Sequence, residues 1–251
     1  ISENWYAMER FVAHVAQTCY RFESLVDENK GFQYADWLSF EPLESWSKAA
    51  YVPGIEPRSP LPEALDYWNF LSACYWAIDA GMMRDMASAI GKDASVYEQM
   101  REEARSYIRN RFMTSEGMFK TQLLNTMQTP ALFALKAGVV EGHARSAMVT
   151  RLRRNFEEHE NCLQTGFLGT SILMPVLSEN GMNDIAYELL FQHRNPSWMY
   201  SIDNGATTIW ERWNSYTHDN GIAKGGMTSF NHYAYGCVCE WLWENVAGIS
   251  C

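Results

Sequence analysis

The side chains best suited to chemistry are concentrated between residues 203 and 236. Glu211 stands between two tryptophans, the second of which is Trp213, and Asn231 and His232 follow further along the chain. A carboxylate can activate water, an amide or an imidazole can hydrogen-bond a hydroxyl group, and aromatic rings stack on the apolar faces of sugar rings. This combination indicates a site for hydroxylated rings, with Glu211 as the candidate catalytic group.

The neighbours of Glu211 leave two interpretations open. Glu211 is either a general base that stays ionised near neutral pH or one half of a structural ion pair with a nearby arginine. In an extended segment side chains alternate, so Glu211 and Trp213 would point to one face and Arg212 to the other. Trp213 is therefore the better candidate for the sugar side. Trp198 follows a proline in a loop, which favours an exposed ring that a ligand can contact.

Each remaining candidate has a structural alternative. His232 either hydrogen-bonds a substrate hydroxyl or serves as an ordinary structural histidine. Asn231 either contacts a ligand or caps the helix that is predicted to begin at Ser229. Asp36 and Trp37 form a second pair that either contacts a ligand or is structural, with Asp36 capping a turn and Trp37 packing beneath its loop.

The overall composition excludes several classes of protein. The net charge is −10, and since phosphate backbones require a basic surface, nucleic acid is not an expected partner. No apolar run reaches the length that spans a bilayer, so no membrane span is expected. The cysteines and histidines lack the spacing of a metal site. Aromatic residues make up 14% of the chain, which favours a carbohydrate ligand, and the compartment stays open, with secretion or the periplasm favoured over the cytoplasm.

The elements that must position these groups are mostly helical, because apolar residues recur at helical spacing along much of the chain. Gly91 is predicted to end a helix, Gly138 and Gly181 to separate helices, and Gly81 to break one. The only candidate strand covers residues 206–210. The predicted helices cover residues 3–21, 65–90, 95–112, 128–136, 141–156, 167–179, 183–193 and 229–246.

Two long segments, residues 22–60 and 194–228, lack a helical pattern. Both are rich in Trp and Tyr, so we expect ordered loops rather than disorder. Antiparallel helices joined by alternating short and long loops predict an all-α fold, an α/α toroid in which the long loops form a cleft at one rim. We expect residues 1–251 to form a single domain of about eight helices, fewer than a closed barrel of six hairpins needs.

The chain also carries a series of short segments rich in Trp, Gly and polar residues. These segments are Tyr34-Ala-Asp-Trp-Leu38, Thr165-Gly-Phe-Leu-Gly-Thr170, Pro196-Ser-Trp198, Gly205-Ala-Thr-Thr-Ile-Trp-Glu-Arg-Trp213, Met227-Thr-Ser-Phe-Asn-His-Tyr-Ala-Tyr-Gly236, Glu240-Trp-Leu242 and Ala247-Gly-Ile249. In this order and at this spacing the chain resembles the catalytic domain of the α-L-rhamnosidases of glycoside hydrolase family 78. The likeness covers nearly the whole chain, and Ala35 stands where the family has a glycine.

The resemblance implies an (α/α)6 six-hairpin barrel that hydrolyses terminal α-L-rhamnosides with inversion and without a metal or organic cofactor. Glu211 matches the general base of that family, and His232 matches a histidine that contacts the sugar. Trp37 and Trp198 match segments that line the pocket. The expected substrate is accordingly a rhamnoside.

The chain departs from the family pattern in one important respect. The family's general acid lies in an upstream segment that reads roughly Arg-Asp-Glu-Arg and ends in Trp-x-Gly-Asp, and this segment has no counterpart here. We therefore expect the chain to be the C-terminal portion of the catalytic domain, inactive without the missing N-terminal part. Asn214, where aspartate is common, and Thr228, where asparagine is common, are smaller departures.

Two other functions remain open at this stage. The chain is either a non-catalytic carbohydrate-binding toroid or a different enzyme on the same scaffold, such as an uronyl hydrolase or a lyase. An acidic motif encoded upstream of residue 1 would indicate an enzyme, and substrate profiling would separate the enzyme classes.

Overall fold

The computed structural model describes residues 5–10, 35–43, 61–224 and 226–249. Residues 5–10 are helical, and eight α-helices follow within the described ranges. Long helices dominate the first part, and short irregular elements dominate the part after residue 190. The α-helices are α1 (Pro62–Ala89), α2 (Ser95–Phe112), α3 (Gln128–Lys136), α4 (Gly142–Glu158), α5 (Phe167–Glu179), α6 (Asn183–Leu190), α7 (Trp198–Asp203) and α8 (Val238–Trp241).

Shorter elements connect or extend these helices. Gln122–Thr126 and Ala234–Cys237 form 3₁₀ helices that precede α3 and α8, and Leu242–Val246 continues α8 as a π-helix. Two strands, β1 (Tyr216–Thr217) and β2 (Gly221–Ile222), pair in antiparallel fashion. They form a small hairpin within the otherwise helical part that the structure describes.

The long helices pack as consecutive hairpins in two layers. α1 packs against α2, α3 against α4 and α5 against α6, while α1, α3 and α5 also contact one another in that order. α8 and the 3₁₀ helix before it contact α5 on the far side of this row. α1, α3 and α5 therefore form an inner row, and α2, α4 and α6 form an outer row.

The sequence explains which helices lie inside. Almost every side chain of α3 is buried, as expected for a helix that is apolar on all sides, whereas α2 and α4 carry many charged residues. Ion pairs join neighbouring helices at the surface: Arg111 to Asp66 at 3.0 Å and Arg153 to Asp184 at 2.6 Å. Exposed pairs contribute about 0–1 kcal/mol each, so burial of the apolar inner row is the main stabilising term.

Three glycines end helices as the sequence predicts. Gly91, Gly138 and Gly181 have φ angles of 69°, 65° and 72°, which L side chains rarely adopt. After each glycine, the next residue donates its backbone N–H to a carbonyl five residues earlier, the hydrogen bond of a Schellman motif. Gly138 is also required by packing, because an added Cβ would lie 2.2 Å from Nη2 of Arg105.

Several predictions about local structure are wrong. α1 continues through Gly81 without a break, because this face of the helix packs on α2 and burial outweighs the low helix propensity of glycine. Residues 206–210 form no strand; the chain bends there, and the two strands lie further along. The predicted helix at 229–246 starts only at Ala234 and consists of three short pieces.

Other predictions are incomplete or lie outside the described residues. α7 was not predicted, because six residues are too few for periodicity to show; Ser197 caps it by accepting the backbone N–H of Tyr200. Of the predicted helix at 3–21, only residues 5–10 are described, and they are helical. The predicted loop at 22–60 falls mostly outside the described residues, apart from residues 35–43.

Candidate active site

The first turn of α5 is the point to which the 35–43 loop is attached. Asp36 is fully buried, and its Oδ1 atom accepts the backbone N–H groups of Leu168 at 2.7 Å and Gly169 at 3.0 Å. Its Oδ2 atom accepts the N–H of Gly166 at 2.7 Å and the hydroxyl of Thr129 at 2.6 Å. A carboxylate at this position satisfies the free N–H groups of the helix start and complements the helix dipole. Asp36 is thus a helix cap, and its predicted contact with a ligand is not available in this arrangement.

A second buried carboxylate in the same loop caps α3. Oε1 of Glu41 accepts the backbone N–H groups of Gln128 and Thr129, the first two residues of that helix, while the hydroxyl of Tyr67 lies 3.5 Å from Oε2. Burial, together with the nearby negative charge of Asp36, raises the pKa of Glu41 to about 8, against the opposing effect of the hydrogen bonds from Thr129 and Gln128. Burial also raises the pKa of Asp36, against the opposing effect of the hydrogen bonds from Thr129 and the α5 backbone.

Two glycines make this attachment sterically possible. A Cβ on Gly166 would lie 2.1 Å from the carbonyl oxygen of Trp37, and a Cβ on Gly169 would lie 2.5 Å from Oδ2 of Asp36. The backbone N–H of Phe167 also donates to the carbonyl of Trp37, at 2.9 Å. The Thr165–Thr170 segment is therefore shaped to receive the 35–43 loop, which holds Trp37 half-buried beside the start of α5.

The same turn of α5 also holds the segment that contains Glu211. The indole Nε1–H of Trp213 donates to the carbonyl of Thr165 at 2.9 Å, and the Trp213 ring stacks on Tyr235 with centroids 3.9 Å apart. The ring of Tyr235 meets Phe167 edge to face, and the indole of Trp198 meets Trp213 at 90°. The indole N–H of Trp198 donates to the backbone carbonyl of Tyr235. We call these four rings, Phe167, Trp198, Trp213 and Tyr235, the aromatic cluster.

The two tryptophans of the cluster are buried rather than exposed to a ligand. Trp198 keeps 7% of its surface exposed and Trp213 keeps 3%. The expected exposure of Trp198 is wrong, because the ring turns inward under α7. The expected alternation along an extended segment is also wrong, since the chain turns after Glu211 with the N–H of Ser215 bonded to the carbonyl of Arg212.

Glu211 is held by two reciprocal bonds to Ser229. The N–H of Glu211 donates to the Ser229 carbonyl at 2.9 Å, and the N–H of Ser229 donates to Oε2 of Glu211 at 2.9 Å. Within the described ranges, Oε1 accepts no hydrogen bond and no arginine forms an ion pair with the carboxylate. The side chain is half-buried, so one carboxylate oxygen is fixed and the other is available to a water molecule.

His232 lies on the neighbouring segment with a defined orientation. The backbone N–H of His232 donates to the carbonyl of Ile209 at 2.8 Å. Ile209 lies two residues before Glu211. The ring of His232 stacks on Phe167 with centroids 5.0 Å apart, and its Nδ1 accepts the backbone N–H of Ala234 at 3.2 Å. An Nδ1 that accepts a hydrogen bond places the proton of neutral imidazole on Nε2, which is then a donor for a hydroxyl group.

Asn231 is exposed beside this histidine, and its own N–H donates to the Ser229 hydroxyl at 3.1 Å. The expectation that Asn231 caps the last helix is wrong, because that helical region begins at Ala234 and the residue before it, Tyr233, makes no side-chain cap. Asn231 thus remains a candidate ligand contact by position.

Sequence reasoning missed the residues that connect these groups. Glu41, Thr165 and Tyr235 were not singled out, although each joins two of the segments described above. The two glycines of Thr165-Gly-Phe-Leu-Gly-Thr170 were a usable signal, because glycine at the start of a helix often marks close backbone approach.

A cavity of about 590 Å³ lies elsewhere, on the outer side of the helical layers. Its lining includes Arg109, Lys120, Val139 and Ala144 and none of the predicted site residues. Among the described residues, no group of three or more His, Cys, Asp or Glu side chains is arranged to hold a metal ion. No helix in the described ranges combines the length and apolarity needed to cross a membrane.

Comparison with known proteins identifies the family. The model of a family described as the bacterial alpha-L-rhamnosidase 6 hairpin glycosidase domain matches residues 1–246. The chain belongs to this family. Membership of the six-hairpin glycosidases confirms both the resemblance drawn from the motifs and the predicted all-α toroid fold.

Curated relatives and solved structures agree with this assignment. The chain is 40% identical over 182 residues to an alpha-L-rhamnosidase of Streptomyces avermitilis, covering 72% of this chain and 17% of that protein. It is 32% identical over 252 residues to an alpha-L-rhamnosidase of Formosa agariphila, covering 100% of this chain and 25% of that protein. The chain thus spans a quarter or less of these two relatives.

Among solved structures, the six-hairpin fold is closely matched in a Streptomyces avermitilis alpha-L-rhamnosidase complexed with L-rhamnose. The TM-score is 0.70 at 31% identity, covering 95% of this chain and 21% of that one. An alpha-L-rhamnosidase from Aspergillus terreus gives a TM-score of 0.70 at 30% identity, covering 86% of this chain and 23% of that one.

Proposed function

We propose that this chain supplies the water-activating half of an active site that hydrolyses terminal α-L-rhamnosides with inversion. The observation that carries the proposal is the environment of the Glu211 carboxylate: the Ser229 N–H fixes one oxygen, and among the described residues none bonds to the other oxygen and no arginine forms an ion pair with the group. Such a carboxylate can accept a proton from water as a general base.

The chemistry requires a second carboxyl group on the opposite side of the sugar. In an inverting glycosidase the two groups lie about 6.5–9.5 Å apart, so that water attacks the anomeric carbon as the acid protonates the leaving oxygen. Asp36 and Glu41 are both buried as helix caps and do not suit this task. We place the proton donor in the part of the relatives' length that this chain does not span, so residues 1–251 alone are expected to be inactive.

The neighbouring groups suit recognition of a sugar. His232 presents its Nε2–H as a donor to a hydroxyl group, and the exposed side chain of Asn231 follows the same segment. The half-buried indole of Trp37 is the proposed stacking surface for the apolar face of the ring. Trp198 and Trp213 are proposed to have an indirect role, because their buried rings fix the segments that carry Glu211 and His232.

Replacement of Glu211 by glutamine in the complete gene product tests the proposal. The amide keeps the shape but cannot accept a proton, so kcat on an aryl α-L-rhamnoside should fall by about 10²–10⁴-fold. The Kd for L-rhamnose, measured by calorimetry, should change little, because an amide oxygen still accepts the Ser229 N–H.

The matched control is Glu244→Gln, an exposed glutamate of the π-helix outside the site, which should retain full activity. Near-normal turnover of the Glu211→Gln variant would overturn the assignment of the base. A wild-type protein that binds L-rhamnose but hydrolyses no rhamnoside would instead support a carbohydrate-binding toroid.

A further inference from the structure

We propose that the peptide group between Thr165 and Gly166 couples the 35–43 loop to the segment that carries Glu211 and His232, and that Asp36 acts through it as a positioning residue. This inference rests on the proposed function, since it concerns how the same site is held together. It assigns Asp36 a task other than contact with the sugar.

The geometry places one peptide group between the two loops. Its carbonyl, on Thr165, accepts the indole N–H of Trp213 at 2.9 Å, and its N–H, on Gly166, donates to Asp36 at 2.7 Å. A peptide group that donates to a carboxylate becomes a stronger acceptor at its carbonyl, because hydrogen bonds in series polarise one another. The hydrogen bond from Gly166 to Asp36 therefore strengthens the bond that fixes Trp213.

Ring contacts connect Trp213 directly to the residues of the candidate site. The Trp213 ring stacks on Tyr235 at 19° between planes, Tyr235 meets Phe167 edge to face, and Phe167 stacks on His232. Trp213 is also two residues from Glu211 along the chain. A shift of the Trp213 indole would accordingly displace both proposed functional groups, since a close-packed cluster does not deform locally.

Glu41 provides an internal comparison, because it is a buried carboxylate in the same loop with a different set of contacts. It caps α3 and does not bond to the Thr165–Gly166 peptide. Only one of its oxygens accepts backbone N–H groups, whereas both oxygens of Asp36 do. A neutral amide therefore fits at position 41 with its oxygen toward the helix, but at position 36 its NH₂ group must face a backbone N–H.

A double-mutant cycle tests the coupling in the complete gene product. Asp36→Asn weakens the Gly166 contact, and Trp213→Phe removes the indole donor while keeping an aromatic ring. We expect each substitution to raise the Kd for L-rhamnose by about tenfold and the double variant to raise it no further, since both act on one pathway. Glu41→Gln should leave the Kd near the wild-type value, and its effect should add to that of Trp213→Phe.

A readout without ligand separates this inference from the proposed function. The near-ultraviolet circular dichroism of Trp213 is obtained by subtracting the spectrum of a Trp213→Phe variant from that of the same protein with Trp213 intact. This difference spectrum should change when both proteins also carry Asp36→Asn. It should stay unchanged when both carry Glu41→Gln. If Asp36→Asn does not fold, Thr129→Val, which removes one hydrogen bond to Asp36, should produce a smaller shift in the same direction.

The outcomes are distinct. Additive effects of Asp36→Asn and Trp213→Phe on the Kd, or a Trp213 signal that Asp36→Asn leaves unchanged, would overturn the coupling. Equal effects of Asp36→Asn and Glu41→Gln would also overturn it, because they would show a general need for loop anchoring. If the wild-type protein bound no L-rhamnose, the proposed function would fall, and the Trp213 signal would still decide the coupling.

Discussion

At the scale of single residues, the most informative contrast is between two buried carboxylates five positions apart. Asp36 receives four hydrogen bonds spread over both oxygens, whereas Glu41 receives two backbone hydrogen bonds at one oxygen, and the hydroxyl of Tyr67 lies 3.5 Å from the other. Hydrogen bonds from N–H groups favour the ionised form, and burial favours the neutral form. Burial outweighs the hydrogen bonds at both residues and raises both pKa values, that of Glu41 to about 8.

The raised pKa of Glu41 predicts a pH-dependent stability. The reference pKa of the glutamate is 4.5, so between pH 4.5 and about 8 the folded chain holds a proton on Glu41 that the unfolded chain has lost. The contribution of Glu41 to the free energy of unfolding is therefore present below pH 4.5 and is lost as the pH rises through 8. Glu41→Gln, which mimics the neutral form, should remove that loss.

Urea unfolding of both proteins at pH 5 and pH 8 measures the effect. The drop in the free energy of unfolding between the two pH values should be smaller in Glu41→Gln than in the wild type. An equal drop in the two proteins would show that Glu41 titrates near its ordinary pKa in the fold.

At the scale of elements, the first turn of α5 organises the site. Its backbone N–H groups receive Asp36, the carbonyl of Thr165 receives Trp213, and the ring of Phe167 supports His232. A helix start is suited to this task, because its first N–H groups have no partner within the helix. Gly169 is required for this arrangement, since any larger residue would occupy the space of the Asp36 carboxylate.

Two glycine-to-alanine substitutions should therefore have opposite effects on stability. Within a helix this change normally stabilises by about 0.5–1 kcal/mol. Gly81→Ala in α1 should do so, because among the described residues the new Cβ would meet just the Arg101 side chain, at 3.4 Å or more. Gly169→Ala should instead destabilise by about 1–3 kcal/mol, since its Cβ would lie 2.5 Å from Oδ2 of Asp36 and from Oγ1 of Thr129.

Denaturant unfolding of the two variants beside the wild type tests this contrast. Gly169→Ala should also weaken L-rhamnose binding, whereas Gly81→Ala should not. Stabilisation by both substitutions would mean that the space around Gly169 is larger than the structure gives.

At the scale of the whole molecule, the π-helix after α8 and the residues that follow it carry exposed apolar side chains. Beyond α8, Trp243 is 61% exposed, Val246 45% and Ile249 59%. Adjacent exposed apolar side chains favour association, whether with another segment or with a second copy. The described part of the chain buries α1, α3 and α5 well, so this surface lies at the edge of an otherwise covered core.

Residues 1–251 expressed alone are accordingly expected to self-associate. Sedimentation velocity should show a rise in mean mass with concentration, and Trp243→Arg should reduce it by placing a charge in the patch. Phe191→Arg, at another exposed aromatic position, is the matched control and should have no effect. A cooperative, monomeric wild-type chain at all concentrations would contradict the prediction.

The sequence predicted the long helices well, because the signals that define them are local. The bounds of α2, α3 and α5 agree with the prediction at both ends, and Gly91, Gly138 and Gly181 end helices as expected. The family motifs selected Glu211 and His232, and the structure joins their two segments by backbone hydrogen bonds; the roles of both side chains stay predictions. Local patterns failed where elements are short, as in α7 and the pieces after Ala234, since a turn or two carries no clear period.

The amino-acid sequence by itself determined the helical class, the ends of the main helices and the family. Only the tertiary structure decided that Asp36 caps a helix 130 residues away, and that Trp198 and Trp213 face the interior. Periodicity and helix caps depend on neighbours within a few positions, so they can be read from a single segment. Burial and long-range hydrogen bonds depend on which segments meet, and for this site that is fixed by the packing of the whole inner row.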